Sequence, residues 1–216
     1  MRLRQFPCAG LIAVTLAGTA NAQSGVTPPR RFGFTAGVNS STISGSDLGD
    51  NVSRRTGFAA GALLVLPLSS NIAIEPELLY STKGIESHDS GIDASLKMNY
   101  VQLPVLVRVE IPASGGTKPF LYGGPAISYK ASCNVEVSGQ GTNISSGCDN
   151  LESDTEKLKT IDYGLVAGGG LLFDVGGRKF TIGARYDHSL GKIAESSDSK
   201  HRVISVLATL EFPWAK

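Results

Sequence analysis

Long apolar runs are absent from this 216-residue chain, and so is any convincing helical periodicity. Without a stretch of about 18 apolar residues there is no transmembrane helix. Charge imbalance is missing too. Lys and Arg total 20 against 19 Asp and Glu, a formal net charge of +1, which leaves no electrostatic footprint for nucleic acid or an acidic partner. There are three cysteines, three histidines and one tryptophan. "GLVAGGG" (164–170) is followed by strand-like sequence and not by a helix, so it fails the context of a phosphate-binding loop. No cofactor motif is present, and the expectation is no cofactor and no catalytic centre.

What is present begins with "MRLRQFPCAGLIAVTLAGTANAQS". Arg2 and Arg4 form a basic start, residues 9–20 a short apolar core, and Ala20-Asn21-Ala22 a small-x-small cleavage site. The pattern predicts a secretory signal peptide over 1–22, a short periplasmic segment over 23–30 and one domain over 31–216. Cys8 leaves with the signal. So do Arg2 and Arg4, leaving 18 basic and 19 acidic residues. Cys133 and Cys148 remain, in a polar, glycine-rich stretch. In an oxidising compartment they are expected to pair. A metal site or a catalytic thiol would need neighbouring histidines, and none is there.

The segment "YVQLPVLVRVEIP" (100–112) sets the pattern for the rest. Val101, Leu103, Val105, Val107, Val109 and Ile111 share one face of a strand. Gln102, Pro104, Leu106, Arg108 and Glu110 share the other, because successive side chains alternate. Pro104 removes a ladder donor and is expected to mark a bulge or bend. Seven further period-2 runs occur near 31–40, 57–67, 71–83, 119–130, 161–174, 179–189 and 202–214. Their connections alternate. Short ones ("LSS", "PASGGTK", "VGGR") follow the second, fourth and sixth strands. Long polar ones (42–56, 84–97, 131–160, 190–201) follow the others. The expectation is an all-β, eight-stranded antiparallel up-and-down transmembrane barrel with short periplasmic turns and long outer loops.

The faces agree. One is apolar along every strand and is expected to meet outer-membrane lipid. The other carries glycine, Thr35, Asn39 and Asp187, and is expected to enclose a charge network of Glu75, Glu77, Arg108, Glu110, Asp162 and Arg185. Aromatics sort by height, with Tyr80, Tyr129, Tyr163 and Tyr186 at the loop ends. Phe120, Phe173, Phe180, Phe212 and Trp214 fall at the turn ends, together giving two aromatic girdles.

Four segments, "YVQLPVLVRVEI", "KPFLYGGPAISY", "DYGLVAGGGLLFDV" and "ARYDHSLGKI", resemble successive strands of the PorT-like outer-membrane β-barrel family. The resemblance covers nearly all of 31–214 and implies the same fold in the bacterial outer membrane. The family's namesake is a component of a secretion system, and nothing in these residues singles out that member. Insertion implies the barrel-assembly machinery as a transient partner. The end "LEFPWAK" places Phe212 and Trp214 near the C-terminus, where that machinery reads a final aromatic.

An eight-stranded barrel has room only for its own side chains, which argues against a general porin. The preferred reading is a non-enzymatic outer-membrane protein, structural or binding outward through its loops, where binding usually sits. Three alternatives stay open, one of them the accessory component of a secretion system that the resemblance implies. A membrane enzyme would need catalytic residues at the rim, with His88, Asp89, Ser90, His188 and Ser189 as candidates. A soluble lipocalin-like carrier would need an apolar interior.

Overall fold

The computed structural model describes residues 28–44, 52–89, 92–139, 142–148, 160–191 and 200–214. The expected signal peptide and Ser90 lie outside the described residues. The strands are β1 (Arg31–Ser44), β2 (Val52–Pro67), β3 (Ile72–Asp89), β4 (Ile92–Glu110) and β5 (Thr117–Gly139). They continue with β6 (Thr142–Gly147), β7 (Ile161–Val175), β8 (Arg178–Ser189) and β9 (Lys200–Pro213). Every pairing is antiparallel. The order β4-β3-β2-β1-β9-β8-β7-β5 is closed by β4 on β5, so eight strands form a barrel and β6 hangs on the outer part of β5. The seam between first and last strands runs from Arg31↔Pro213 to Ser44↔Lys200, and the Trp214 N–H donates to the Arg30 carbonyl at 2.7 Å. Closure removes the sheet edges, the condition for a strand-built structure to span a bilayer.

Parity decides which side chains go where. Phe34, Val38, Leu121 and Tyr163 stand outward and are more than half exposed, which no water-soluble core would tolerate at that density. Thr35, Asn39, Glu75, Arg108, Arg185 and Glu211 alternate with them and are buried inside. At one end, the turn end, connections are tight. Gly176 and Gly177 have φ of +60° and +78°, the left-handed pair a two-residue hairpin turn needs. Ser69 Oγ accepts from the Ile72 N–H at 3.2 Å in the β2–β3 turn. Inside, Gly168 stays bare for a steric reason: a Cβ there would meet the Tyr122 ring at 2.7 Å.

Three sequence-based expectations change. First, several strands outrun their apolar segments. β3 and β4 pair as far as Asp89↔Ile92, so the expected loop over 84–97 is mostly a two-stranded ladder. Likewise β5 extends to Gly139, and β6 pairs with it from Asn134↔Gly147 to Gly139↔Thr142 within the expected 131–160 loop. Beyond the apolar belt, backbone pairing no longer needs apolar alternation, so the pattern that marks a strand in the sequence fades before the strand does.

Second, of the bulge or bend open for Pro104, the register shows no bulge. The β4–β5 register is the same at Pro104↔Ala126 and at Val107↔Gly123. The shift falls instead at Asn99/Tyr100, opposite Ser132 and Lys130. The ladder merely skips pairs beside the prolines, between Pro76↔Val105 and Leu79↔Gln102.

Third, Phe120 is not part of a girdle. It is buried and pairs with Glu110 and Gly170. It falls near the turn end, as expected, but its parity is that of Tyr122, Ala126 and Ser128, so it points into the lumen.

Candidate functional site

The turn-end half of the lumen holds two adjacent groups of ion pairs. Arg108 Nη1 donates to Glu75 Oε2 at 2.8 Å and to Glu211 Oε1 at 2.6 Å. Arg31 Nε donates to Glu211 Oε2 at 2.8 Å and its Nη2 to Glu110 Oε1 at 2.9 Å. Glu110 also lies 3.6 Å from Arg108 Nη2. Beside this group, Arg185 Nη2 donates to both oxygens of Glu77 at 2.6 Å. The pairs link walls that share no ladder, β4 to β9 and β8 to β3. Each charge is accompanied by others of opposite sign, which a buried charge requires.

Two aromatic rings complete the packing. The Arg108 guanidinium lies 4.5 Å from the Phe120 ring centre, and Arg185 lies 5.3 Å from Tyr122, whose ring stacks on Phe120 at 5.7 Å. Arg108 Nε and Nη2 and Arg185 Nε and Nη1 have no hydrogen-bond acceptor among the described residues. The ring faces supply part of the missing electrostatic compensation.

Among the described residues the lumen keeps little free space. The void bounded by Glu75, Glu77, Arg108, Tyr122, Arg185 and Glu211 is about 20 Å³, and the one between Lys83, Gln102, Asp162 and Asp187 is about 10 Å³. Each is about the size of one water.

Of the six charges expected to form the network, five meet there, and Asp162 does not. It accepts from Ser189 Oγ at 2.6 Å, near the loop end. Asp162 is six residues from Gly168, the register partner of Arg185, or about 20 Å along a strand. Parity places Asp162 on the inner face but says nothing of its height. Sequence reasoning missed Arg31 and Glu211. Arg31 opens β1 and Glu211 lies two residues from the end of β9, yet their parity with Gly33 and Thr209 was enough to find them. The upper lumen is polar: Gln102 Nε2 donates to Asp187 Oδ1 at 3.1 Å and Asn39 Nδ2 to Ser81 Oγ at 3.1 Å. Lys83 sits over the Tyr100 ring at 5.1 Å.

The other girdle residues point outward. Phe173 faces Phe180 at 6.1 Å, Phe212 stacks on Phe32 at 5.4 Å, and Trp214 meets Phe32 edge-on at 6.4 Å. Tyr80, Tyr129, Tyr163 and Tyr186 are exposed on the outer face.

Beyond the barrel rim, β3, β4, β5 and β6 continue as a sheet. Cys133 and Cys148 are joined by a disulfide, with Cα atoms 5.4 Å apart, stapling β5 to the end of β6. Met98 and Tyr100 are buried beneath it with Leu96 and Cys133 packed against them. Lys97 pairs with Glu136 at 2.7 Å across β4 and β5.

Of the rim residues considered for catalysis, His188 and Ser189 point to opposite faces of β8. Ser189 points inward to Asp162, while His188 points the other way and stacks on Tyr186 at 6.2 Å. His88 and Asp89 pair through their backbones with Asp93 and Ile92 at the tip of the β3–β4 ladder.

Residues 21–195 match the family described as "Outer membrane protein beta-barrel domain". The chain belongs to that family. Among solved outer-membrane barrels it is similar to Neisserial surface protein A, at 14% identity over 85% of this chain and 97% of that one, with a TM-score of 0.49. It is also similar to Ail, the attachment invasion locus protein of Yersinia pestis, at 15% identity over 86% and 100%, with a TM-score of 0.46. A third is the outer membrane enzyme PagL, at 12% identity over 84% and 99%, with a TM-score of 0.42. No curated protein matches the chain significantly.

Proposed function

We propose that this outer-membrane barrel is non-enzymatic, passes no solutes, and acts by binding outward through the sheet and loops at its loop end. The observation that carries this reading is the filled lumen. Three arginines and four glutamates cross-link its walls and leave voids of about 20 and 10 Å³. What remains available to a partner is the stapled extension of β4, β5 and β6, where Ile144 is 61% exposed. Rigid scaffolds carrying variable outer segments are the usual way such barrels present a binding surface. The narrower kinship to PorT-like barrels is part of the same reading and is supported by the four strand segments alone.

The test is electrical. The refolded chain in a planar bilayer should give no conductance steps above the lipid baseline, at either polarity. Reproducible single-channel steps from the wild-type protein would overturn the closed-lumen reading and return the protein to the porins.

A further inference from the structure

On the outer wall, Ala62 lies between its register partners Phe34 and Leu78. A methyl flanked by two large side chains makes a low floor between high walls. The result is an apolar groove of about 670 Å³ running over β1 to β4, with Leu103 on its far side and Trp214 at its foot. That volume falls within the roughly 300–1,000 Å³ of ligand clefts.

Below the groove the chemistry changes. Arg30 is exposed next to Trp214, held by the Trp214 N–H to Arg30 carbonyl bond of 2.7 Å. It shares the outward parity of Phe32. On the other side of β9, the Arg178 guanidinium lies 5.5 Å from the Phe212 ring centre. Arg30 and Arg178 therefore sit two strands apart, about 10 Å, with Phe212 and Trp214 between them. Two arginine side chains easily converge over that distance. Neither forms an ion pair with a described carboxylate, whereas Arg31, Arg108 and Arg185 all do.

We propose that the Arg30–Arg178 pair and the groove over Ala62 together hold one phospholipid molecule, its phosphate on the two guanidiniums and an acyl chain along the groove. Arginine matches phosphate geometry with paired donors, and basic groups between apolar membrane elements bind lipid headgroups. From Arg30 to Phe34 is four residues, about 13 Å of strand. That carries a chain from the headgroup region well into a leaflet. The proposal rests on the outward face lying in the bilayer with the turn end in a phospholipid leaflet.

The test uses the full folded chain in detergent with phosphatidylglycerol added, observed by native mass spectrometry. Wild-type protein should retain one lipid at activation energies that strip the rest. The double variant Arg30→Gln/Arg178→Gln should lose occupancy by about tenfold or more. Ala62→Phe, which fills the groove, should do the same, and Ala184→Phe, outward on β8, should leave it unchanged. A heated-versus-unheated gel shift checks that each variant is folded. Failure of wild-type protein to shift or to require detergent would strike the membrane reading itself.

With folding intact, three results overturn the lipid site: no retained lipid, retention indifferent to the arginines, or arginine-dependent retention that Ala62→Phe spares. Disulfide-linked dimers of Ala62→Cys in native membranes would assign the groove to a second copy instead, and would overturn it too.

Discussion

Arg108 is shared between Glu75 and Glu211, and Glu211 is shared with Arg31. Such sharing makes single substitutions costly, because each strands a charge in a site with little room for water. Removing one partner of a buried pair typically costs about 3–5 kcal/mol. Arg108→Leu should therefore lower the unfolding free energy in lipid or detergent by about that amount. Glu75→Leu added to it should cost less than the sum of the two single losses. Strictly additive losses in the double-mutant cycle would mean that Arg108 is solvated and not networked. Phe120 gives a second, smaller test. Phe120→Leu keeps the apolar bulk and removes the ring under Arg108. It should cost on the order of 1 kcal/mol, and the cost should vanish in an Arg108→Leu background. A cost that persists there would assign Phe120 to packing alone.

At the scale of elements, the sequence was informative where two-residue alternation had to hold. Inside the apolar belt one face must be apolar and the other filled, so Val101 to Ile111 could be assigned residue by residue, and Arg108 fell opposite Ala73 with Glu75 one diagonal step away. Alternation carries no height, so Asp162 was grouped with Arg185, whose register partner lies about 20 Å away along the strand. Sorting aromatics by height alone misplaced Phe120 for the converse reason. Past the rim the alternation rule lapses, and the ladders from Gly84 to Asp89, from Ala131 to Gly139 and from Thr142 to Gly147 looked like loops. One long-range constraint was still legible there, the cysteine pair. A bridge closing about 15 residues contributes about 3 kcal/mol in the chain-entropy account. Reduction should leave the barrel's gel shift intact, since β6 pairs with β5 alone, while cleavage by protease within 131–148 should become faster. A barrel that unfolds on reduction would show that the hairpin is integral to it. Two free thiols counted in oxidised protein from its native source would contradict the bridge itself.

For the whole molecule, the decisive property is an inside-out distribution of polarity: charges within, apolar side chains without. β4 offers a ruler through it. Its outward residues run from Val101, paired with Tyr129 of the loop-end girdle, to Val109 next to the turn-end charges. Leu103, Val105, Val107 and Val109 are all 40–50% exposed on the same face, so burial alone gives no reason for them to differ. A bilayer does. An arginine on the lipid face costs about 2–4 kcal/mol at the midplane and about 0–1 kcal/mol near the interfaces, where it can reach water. Arginine placed singly at these four positions should thus give a cost that peaks near Val105 and falls toward Val109, measured by reversible unfolding of the barrel in lipid vesicles. The same four variants in detergent micelles should show a shallower profile, because a micelle deforms around a charge more readily than a bilayer. A flat profile in vesicles would mean that the valine face is not crossing a membrane. A peak displaced toward Val109 would move the bilayer relative to the barrel and bring the Arg30 and Arg178 guanidiniums out of the headgroup region.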